Sequence, residues 1–219
     1  MAPVQGFFNW ANIELTEIIL YTHRNESYYG VKNDEILMKK GFSNGDSTHQ
    51  MVKKQLKIGI ISDTHDNLPL VDKAVKRLNQ EEVDLVLHAG DYVAPFTVLR
   101  FKQLKARLIG VFGNNDGDHE YLKKRFADVQ EAEIRGNFAE VIIDGLKIAL
   151  LHDEGELFHS LVNGQCYDVV VHGHTHEARV YKKGKTIVIN PGEVCGYLSK
   201  RSTMALLDTE TQEARLIEL

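Results

Sequence analysis

Seven side chains able to hold a cation each stand just past the end of an apolar run. The run Ile58–Ser62 leads to Asp63-Thr64-His65, Leu85–Gly90 leads to Asp91, and Leu108–Gly113 leads to Asn114-Asn115-Asp116. Ile148–Leu151 leads to His152, and Val169–Gly173 leads to His174-Thr175-His176. Carboxylate, imidazole and amide oxygen together suit first-row ions such as manganese, iron, zinc or nickel. Asp63, His65, Asp91, Asn114, His152, His174 and His176 exceed what one tetrahedral ion needs, and a carboxylate can bridge two ions. The count favours a binuclear centre with cations about 3.5–4 Å apart. Singly, Asp63, Asp91 and Asn114 are also the residue types of caps and turns. Caps, however, do not call for the DxH and HxH spacings found here.

Donors spread this widely converge only if the runs are strands of one architecture. Leu56–Ser62, Asp84–Ala89 and Arg107–Phe112 read as buried strands. Between and after them, Leu68–Gln80, Phe96–Leu104 and Asp118–Ala127 read as helical, the last with Asp118 as its N-cap. That βαβαβα order predicts a mostly parallel sheet, whose carboxyl strand ends form the ligand-binding edge. Glycines 90, 113 and 173 precede donors, where a sharp exit from a strand needs permissive backbone. The second half is richer in strands, predicted at 139–143, 146–151, 168–171, 178–182, 186–189, 203–208 and 213–218. Asp144-Gly145 and Lys183-Gly184 supply hairpin turn chemistry. The expected fold class is α/β, a four-layer α/β/β/α sandwich of two facing mixed sheets.

Composition narrows the classes. A net charge of -5 gives no extended nucleic-acid surface, although bound cations could still draw a phosphate-bearing ligand to an acidic protein. No apolar run approaches the ~18 residues of a membrane span. The start lacks a secretory signal pattern, and Cys166 and Cys195 have no CxxC spacing. A cytoplasmic location is the expectation.

The chain changes character near Met51. Residues 1–50 mix aromatics with polar residues and show no sustained period, apart from a short helix expected over Trp10–Tyr21. Gly41–Gln50 reads as a linker. Residues 1–54 are therefore either an N-terminal arm or the product of a misassigned start at a site upstream of Met51, and 55–219 form the main domain.

The blocks DTH, GD, GNND, H and GHTH, in that order, resemble the calcineurin-like metallophosphoesterase superfamily. The short spacings and the later Asn190-Pro191-Gly192 are similar to its small single-domain phosphodiesterase branch. The resemblance runs from about Leu56 to the C-terminus. It implies a first metal on Asp63, His65 and His176, a bridge at Asp91, and a second metal on Asn114, His152 and His174. It implies metal-activated hydroxide attack on a small phosphodiester, with two divalent ions, manganese first among them, and Asp91 and His152 acting through those ions. Asn115 stands where many relatives carry a leaving-group histidine, and asparagine is no general acid near neutral pH. That departure predicts faster cleavage of activated aryl diesters than of alkyl monoesters. Asp116 is implied as the residue that orients Asn115 or a ligand.

The alternatives are a phosphomonoesterase or protein phosphatase, and a metal-binding interaction scaffold of the same fold such as the retromer subunit. Homo-oligomerisation is left open. Other histidines receive structural readings: His88 and His172 as satisfied core groups, His119 and His159 as surface groups, His23 and His49 as outside the match. Lys123, Lys124 and Arg125 read as a solvated helix face.

Overall fold

The computed structural model describes residues 56–219 throughout and, before them, the backbone of four strands. The chain divides into two compact units, Met1–Lys54 and Gln55–Leu219.

In the first unit, β1 (Ile18–His23), β2 (Glu26–Val31), β3 (Ile36–Lys39) and β4 (Gln50–Lys53) form an antiparallel sheet in sequence order. Ile18–Tyr21 is thus strand, paired with Tyr28–Val31, where the sequence predicts the end of a helix. The run IILYT is β-branched and aromatic, a composition that favours a pleated surface over a helix. The rest of that expected helix lies outside the described residues, as does the expected linker up to residue 49, while Gln50 opens β4.

The second unit begins with β5 (Lys57–Ile61), α1 (Leu68–Gln80) and β6 (Leu85–His88). A 3-10 helix (Thr97–Gln103), β7 (Arg107–Gly110), α2 (His119–Phe126) and β8 (Ala132–Ile134) follow. Asp118 caps α2 through a side-chain oxygen that accepts from Tyr121 N–H, as its residue type predicts. Next come β9 (Phe138–Ile143), β10 (Leu146–Leu151), α3 (Glu156–Gly164) and β11 (Val169–Val171). The chain ends with β12 (Arg179–Lys183), β13 (Thr186–Asn190), β14 (Thr203–Asp208) and β15 (Ala214–Glu218).

Two mixed sheets result, ordered β15-β14-β5-β6-β7-β8 and β12-β13-β11-β10-β9. In the first, β5 to β8 are parallel and β14 is antiparallel to β5. In the second, β10, β11 and β13 run parallel. The period of two along each strand separates the core into layers. Ile58 and Ile60 join Ile148, Leu150, Val169, Val171, Ile187 and Ile189 between the sheets. Ile61 turns the other way, to Val75 and Leu78 of α1 and Phe126 of α2. Ala149, Val170 and Val188 face Phe158 and Val162 of α3. Three apolar seams thus join four layers, α/β/β/α.

Short β8 and helix α3 escape the sequence reading. β8 has only three partly buried residues, and α3 follows a run of acidic and glycine residues that reads as loop. The β12–β13 hairpin turns at Gly184-Lys185, one residue later than predicted, because Lys183 still pairs with Thr186. Among the described residues no helix is long and apolar enough to cross a membrane.

Candidate metal centre

The parallel strands of each sheet deliver their carboxyl ends to one edge of the sandwich, and the donor residues lie there. Asp63 and His65 follow β5, Asp91 follows β6, and Asn114 follows β7. His152 follows β10, and His174 and His176 follow β11. Backbone hydrogen bonds tie these loops together: Asp63 N–H donates to Gly90 O at 3.0 Å and Gly173 N–H to His152 O at 2.9 Å.

Asp63, His65, Asp91, His174 and His176 all adopt positive φ, between 38° and 67°. Five non-glycine residues in the left-handed region at one edge mean backbone strain of order 1–3 kcal/mol each, held by the surrounding structure. Of the three glycines that precede donors, Gly90 has the expected permissive backbone, with φ at 96°, and the other two play a different part. Gly113 and Gly173 are needed for space, since a Cβ at Gly113 would strike the Asp91 carboxylate and one at Gly173 would strike Ser62 Oγ and the Asp63 carboxylate.

The seven donors form a continuous alternation of imidazole and oxygen. His176 Nε2 lies 3.3 Å from Asp63 Oδ1, and that oxygen lies 3.6 Å from His65 Nε2. His65 Nε2 is 3.3 Å from Asp91 Oδ2, which is 3.4 Å from His152 Nε2. His152 Nε2 is 3.0 Å from Asn114 Oδ1, which is 2.9 Å from His174 Nδ1. Asp91 therefore stands between two halves of the row. Ligand atoms of Asp63, His65 and Asp91 all lie within 4.8 Å of one another.

Electrostatics agree with a site built for positive charge. The Asp63 and Asp91 carboxylates raise the His65 pKa from its usual 6.5 to about 10, against the opposing effect of burial. Burial pushes the Asp91 carboxyl up, but contacts with His152, His65 and Asn115 overcome it and hold the group far below the usual carboxylate range. Burial likewise opposes charge on His152, and Asp91 beside it raises its pKa nonetheless. Asp63 Oδ1 and His65 Nε2 are buried with no hydrogen-bond partner. Buried polar atoms rarely stay unpartnered without a functional reason, and an ion is one such reason. The donor set and these two atoms fit a divalent cation.

Neighbouring groups orient the donors. His152 Nδ1 lies 2.6 Å from Ala89 O, and His176 Nδ1 lies 2.7 Å from Glu193 Oε2. Each acceptor fixes the proton on Nδ1 and leaves Nε2 free as a ligand. Asp116 accepts from the backbone N–H groups of Asp91, Tyr92, Val93 and Gly113. It thus holds the backbone around Asp91; burial raises its pKa. Asn115 points its amide at Asp91 Oδ2.

Sequence reasoning missed Glu193 and Cys195, which lie past β13 as the other donors lie past their strands. The same strand-end rule, applied to IVIN-PGEVC, could have found them. Glu193, fully buried, also accepts from Cys195 Sγ and from the backbone of Tyr197, Leu198 and Ser199. Burial raises its pKa, but these donors and His176 bring it down to about 2. Asn190 donates to Gly173 O and Thr175 Oγ1, so the NPG turn braces the His174–His176 loop.

His88 and His172 are buried within the fold. His88 touches Thr64 Oγ1 and accepts from Gly90 N–H, and burial lowers its pKa. His172 sits against Phe158, and burial lowers it to about 4. His159 is exposed. His119 is half-buried, contrary to the surface reading, because its ring stacks on Phe112 at 3.8 Å and 4°.

Residues 56–212 match the model of the calcineurin-like phosphoesterase superfamily domain. A phosphodiesterase of Methanocaldococcus jannaschii is 43% identical over 165 residues, which cover 75% of this chain and 99% of that protein. The solved structure of an archaeal phosphodiesterase superposes with a TM-score of 0.72 at 43% identity, covering 75% of this chain and 100% of that one. Vacuolar protein sorting 29 of Cryptosporidium parvum shares the fold, with a TM-score of 0.55 at 21% identity over 75% of this chain and 97% of that one.

Proposed function

The chain belongs to the calcineurin-like phosphoesterase superfamily, and from that premise we propose that it is a phosphodiesterase working with two divalent cations, manganese first among them. The observation that carries this reading is the unbroken row of donors from His176 to His174 with Asp91 at its middle. Asp63, His65 and His176 would hold one ion; Asn114, His152 and His174 would hold the other; Asp91 would touch both. When bound, such ions polarise a phosphate ester and lower the pKa of water.

The protein's own groups then set the geometry and the leaving-group preference. Asp116 and Asn115 lock the Asp91 loop and carboxylate, so the charge between the two halves is fixed before substrate arrives. Position 115 offers no proton to a departing oxygen, and the His119 ring is stacked on Phe112. Substrates whose leaving group needs no protonation, such as activated aryl diesters, are therefore the favoured class. An interaction scaffold of the same fold has no need of a complete donor row, and completeness here favours turnover.

The test combines metal analysis with hydrolysis of an activated aryl phosphodiester and the matching monoester. The diester should be cleaved faster, with loss of turnover in excess chelator and in Asp91→Asn. Activity surviving either treatment would refute the two-metal reading.

A further inference from the structure

The large apolar side chains left exposed are unevenly placed. Among the described residues there are seven, and five of them lie on segments that leave the carboxyl ends of strands. Phe96 comes after β6, Tyr121 after β7, Leu157 after β10, and Tyr197 and Leu198 after β13. That is the edge that carries the donor row. Leu198 is the most exposed of the seven, at 70%, and Tyr197 beside it stands at 51%. Their loop is nonetheless firmly held. The buried Glu193 carboxylate accepts from the backbone N–H groups of Tyr197, Leu198 and Ser199 and from the Ser199 hydroxyl. Gly196 and Lys200 turn the chain on either side with φ of 65° and 63°. At Lys200, a non-glycine residue, that conformation is strained in the way found at ligand clamps. A single oxygen joins the loop to the metal centre: Glu193 Oε2 accepts from His176 Nδ1 at 2.7 Å and from Tyr197 N–H at 3.0 Å. Apolar side chains exposed singly are ordinary, but a consecutive pair fixed beside a donor imidazole is placed to meet a ligand.

We propose that Tyr197 and Leu198 are specificity-determining residues that form a platform for an aromatic ester arm of the substrate, next to the donor row at its His176 end. This inference rests on the phosphodiesterase reading above. Metal donors recognise a phosphate and are indifferent to what is esterified to it, so selection among diesters has to come from groups beside them. Tyr197 offers a ring for offset or edge contact with another ring, and Leu198 offers an apolar flank. The substrate class is therefore a small phosphodiester bearing a flat, weakly polar ring, either a simple aryl group or a nucleoside base. Truncating both side chains leaves the backbone N–H groups that hold Glu193, so His176 keeps its orientation and only the arm loses its contact.

The test measures, by calorimetry on manganese-loaded full-length protein, the binding of phenyl phosphate and methyl phosphate, which share the phosphate and differ only in the arm. Wild type should bind phenyl phosphate about tenfold more tightly. In the double variant Tyr197→Ala with Leu198→Ala the preference should shrink to about twofold or less, with affinity for methyl phosphate and for manganese(II) unchanged. Cytidine 5′-monophosphate separates the two kinds of ring. A preference as large as that for phenyl phosphate assigns the platform to nucleosides, a smaller one assigns it to aryl groups, and both support it. No preference in wild type, or one that survives in the double variant, would overturn the platform while leaving the metal reading intact. So would an equal loss of both phosphates in the variant, which would place the effect at the metal centre. No binding of manganese(II) or of either phosphate would overturn both readings.

Discussion

Asn115 grips Asp91 twice: its backbone N–H donates to Oδ1 and its side-chain amide to Oδ2, each at 2.8 Å. The residue that stands in place of a leaving-group acid thus completes the hydrogen bonding of the central carboxylate. Two consequences can be separated by substitution. Asn115→Ala removes the side-chain bond and keeps the backbone one, so kcat/KM for an aryl diester should fall about tenfold, with a stability change near 1 kcal/mol. Asn115→His should raise the rate on alkyl esters relative to aryl esters. No gain on poor leaving groups would show that proton donation is not what limits them.

Asp116 supports the same loop through four backbone N–H groups. Asp116→Ala leaves those donors buried and unpaired, and urea denaturation should show a loss of about 2–4 kcal/mol. Calorimetric manganese(II) affinity should drop about 10–100-fold, as for other residues that orient ligands. An unchanged affinity would mean that Asp91 is placed without it.

Metal binding should release a proton from His65. Its folded-state pKa is raised from 6.5 to about 10 by Asp63 and Asp91. The stability contributed by that proton is fully present below pH 6.5 and is lost as pH rises through about 10. A cation needs the neutral imidazole, so apparent affinity should climb with pH up to about 10. Titration calorimetry in buffers of different ionisation enthalpy measures the protons released. A pH-independent affinity would count against His65 as a ligand.

Acid should destabilise the metal-free protein through His172. Its pKa is lowered to about 4 by burial, and nearby Glu154 is too exposed to reverse this. A depressed imidazole favours the fold above pH 6.5, and that advantage disappears as pH falls toward 4. The loss amounts to about 3 kcal/mol. The buried His88 acts in the same direction. In His172→Gln the slope between pH 6.5 and 4 should flatten in chelator-containing denaturation series, and an identical slope would assign the acid sensitivity elsewhere.

The legible parts of the sequence were those where one local pattern dominates. Donors follow directly on LKIGIIS and IALL, and both the strands and the convergence of those donors can be seen in the fold. Leu68–Gln80 is helical over the predicted span because Leu70, Ala74, Val75 and Leu78 repeat on one face. Other features depend on partners distant in sequence. Glu193 looks like a surface acid until the backbone of residues 197–199 folds over it. His119 looks exposed until Phe112, in the loop that follows β7, stacks beneath it. β1 draws its pattern from pairing with β2, and its own residues offer no clear period.

The donor row crosses from one sheet to the other, with Asp63, Asp91 and Asn114 on the six-stranded side and His152, His174 and His176 on the five-stranded side. An ion held across that seam would act as a rivet through two plates. Pulling the sheets past each other would have to break several metal–ligand bonds at once, whereas the apolar contacts behind them yield one residue at a time. Loaded with such ions, the protein would be brittle in shear at this edge, and without them compliant.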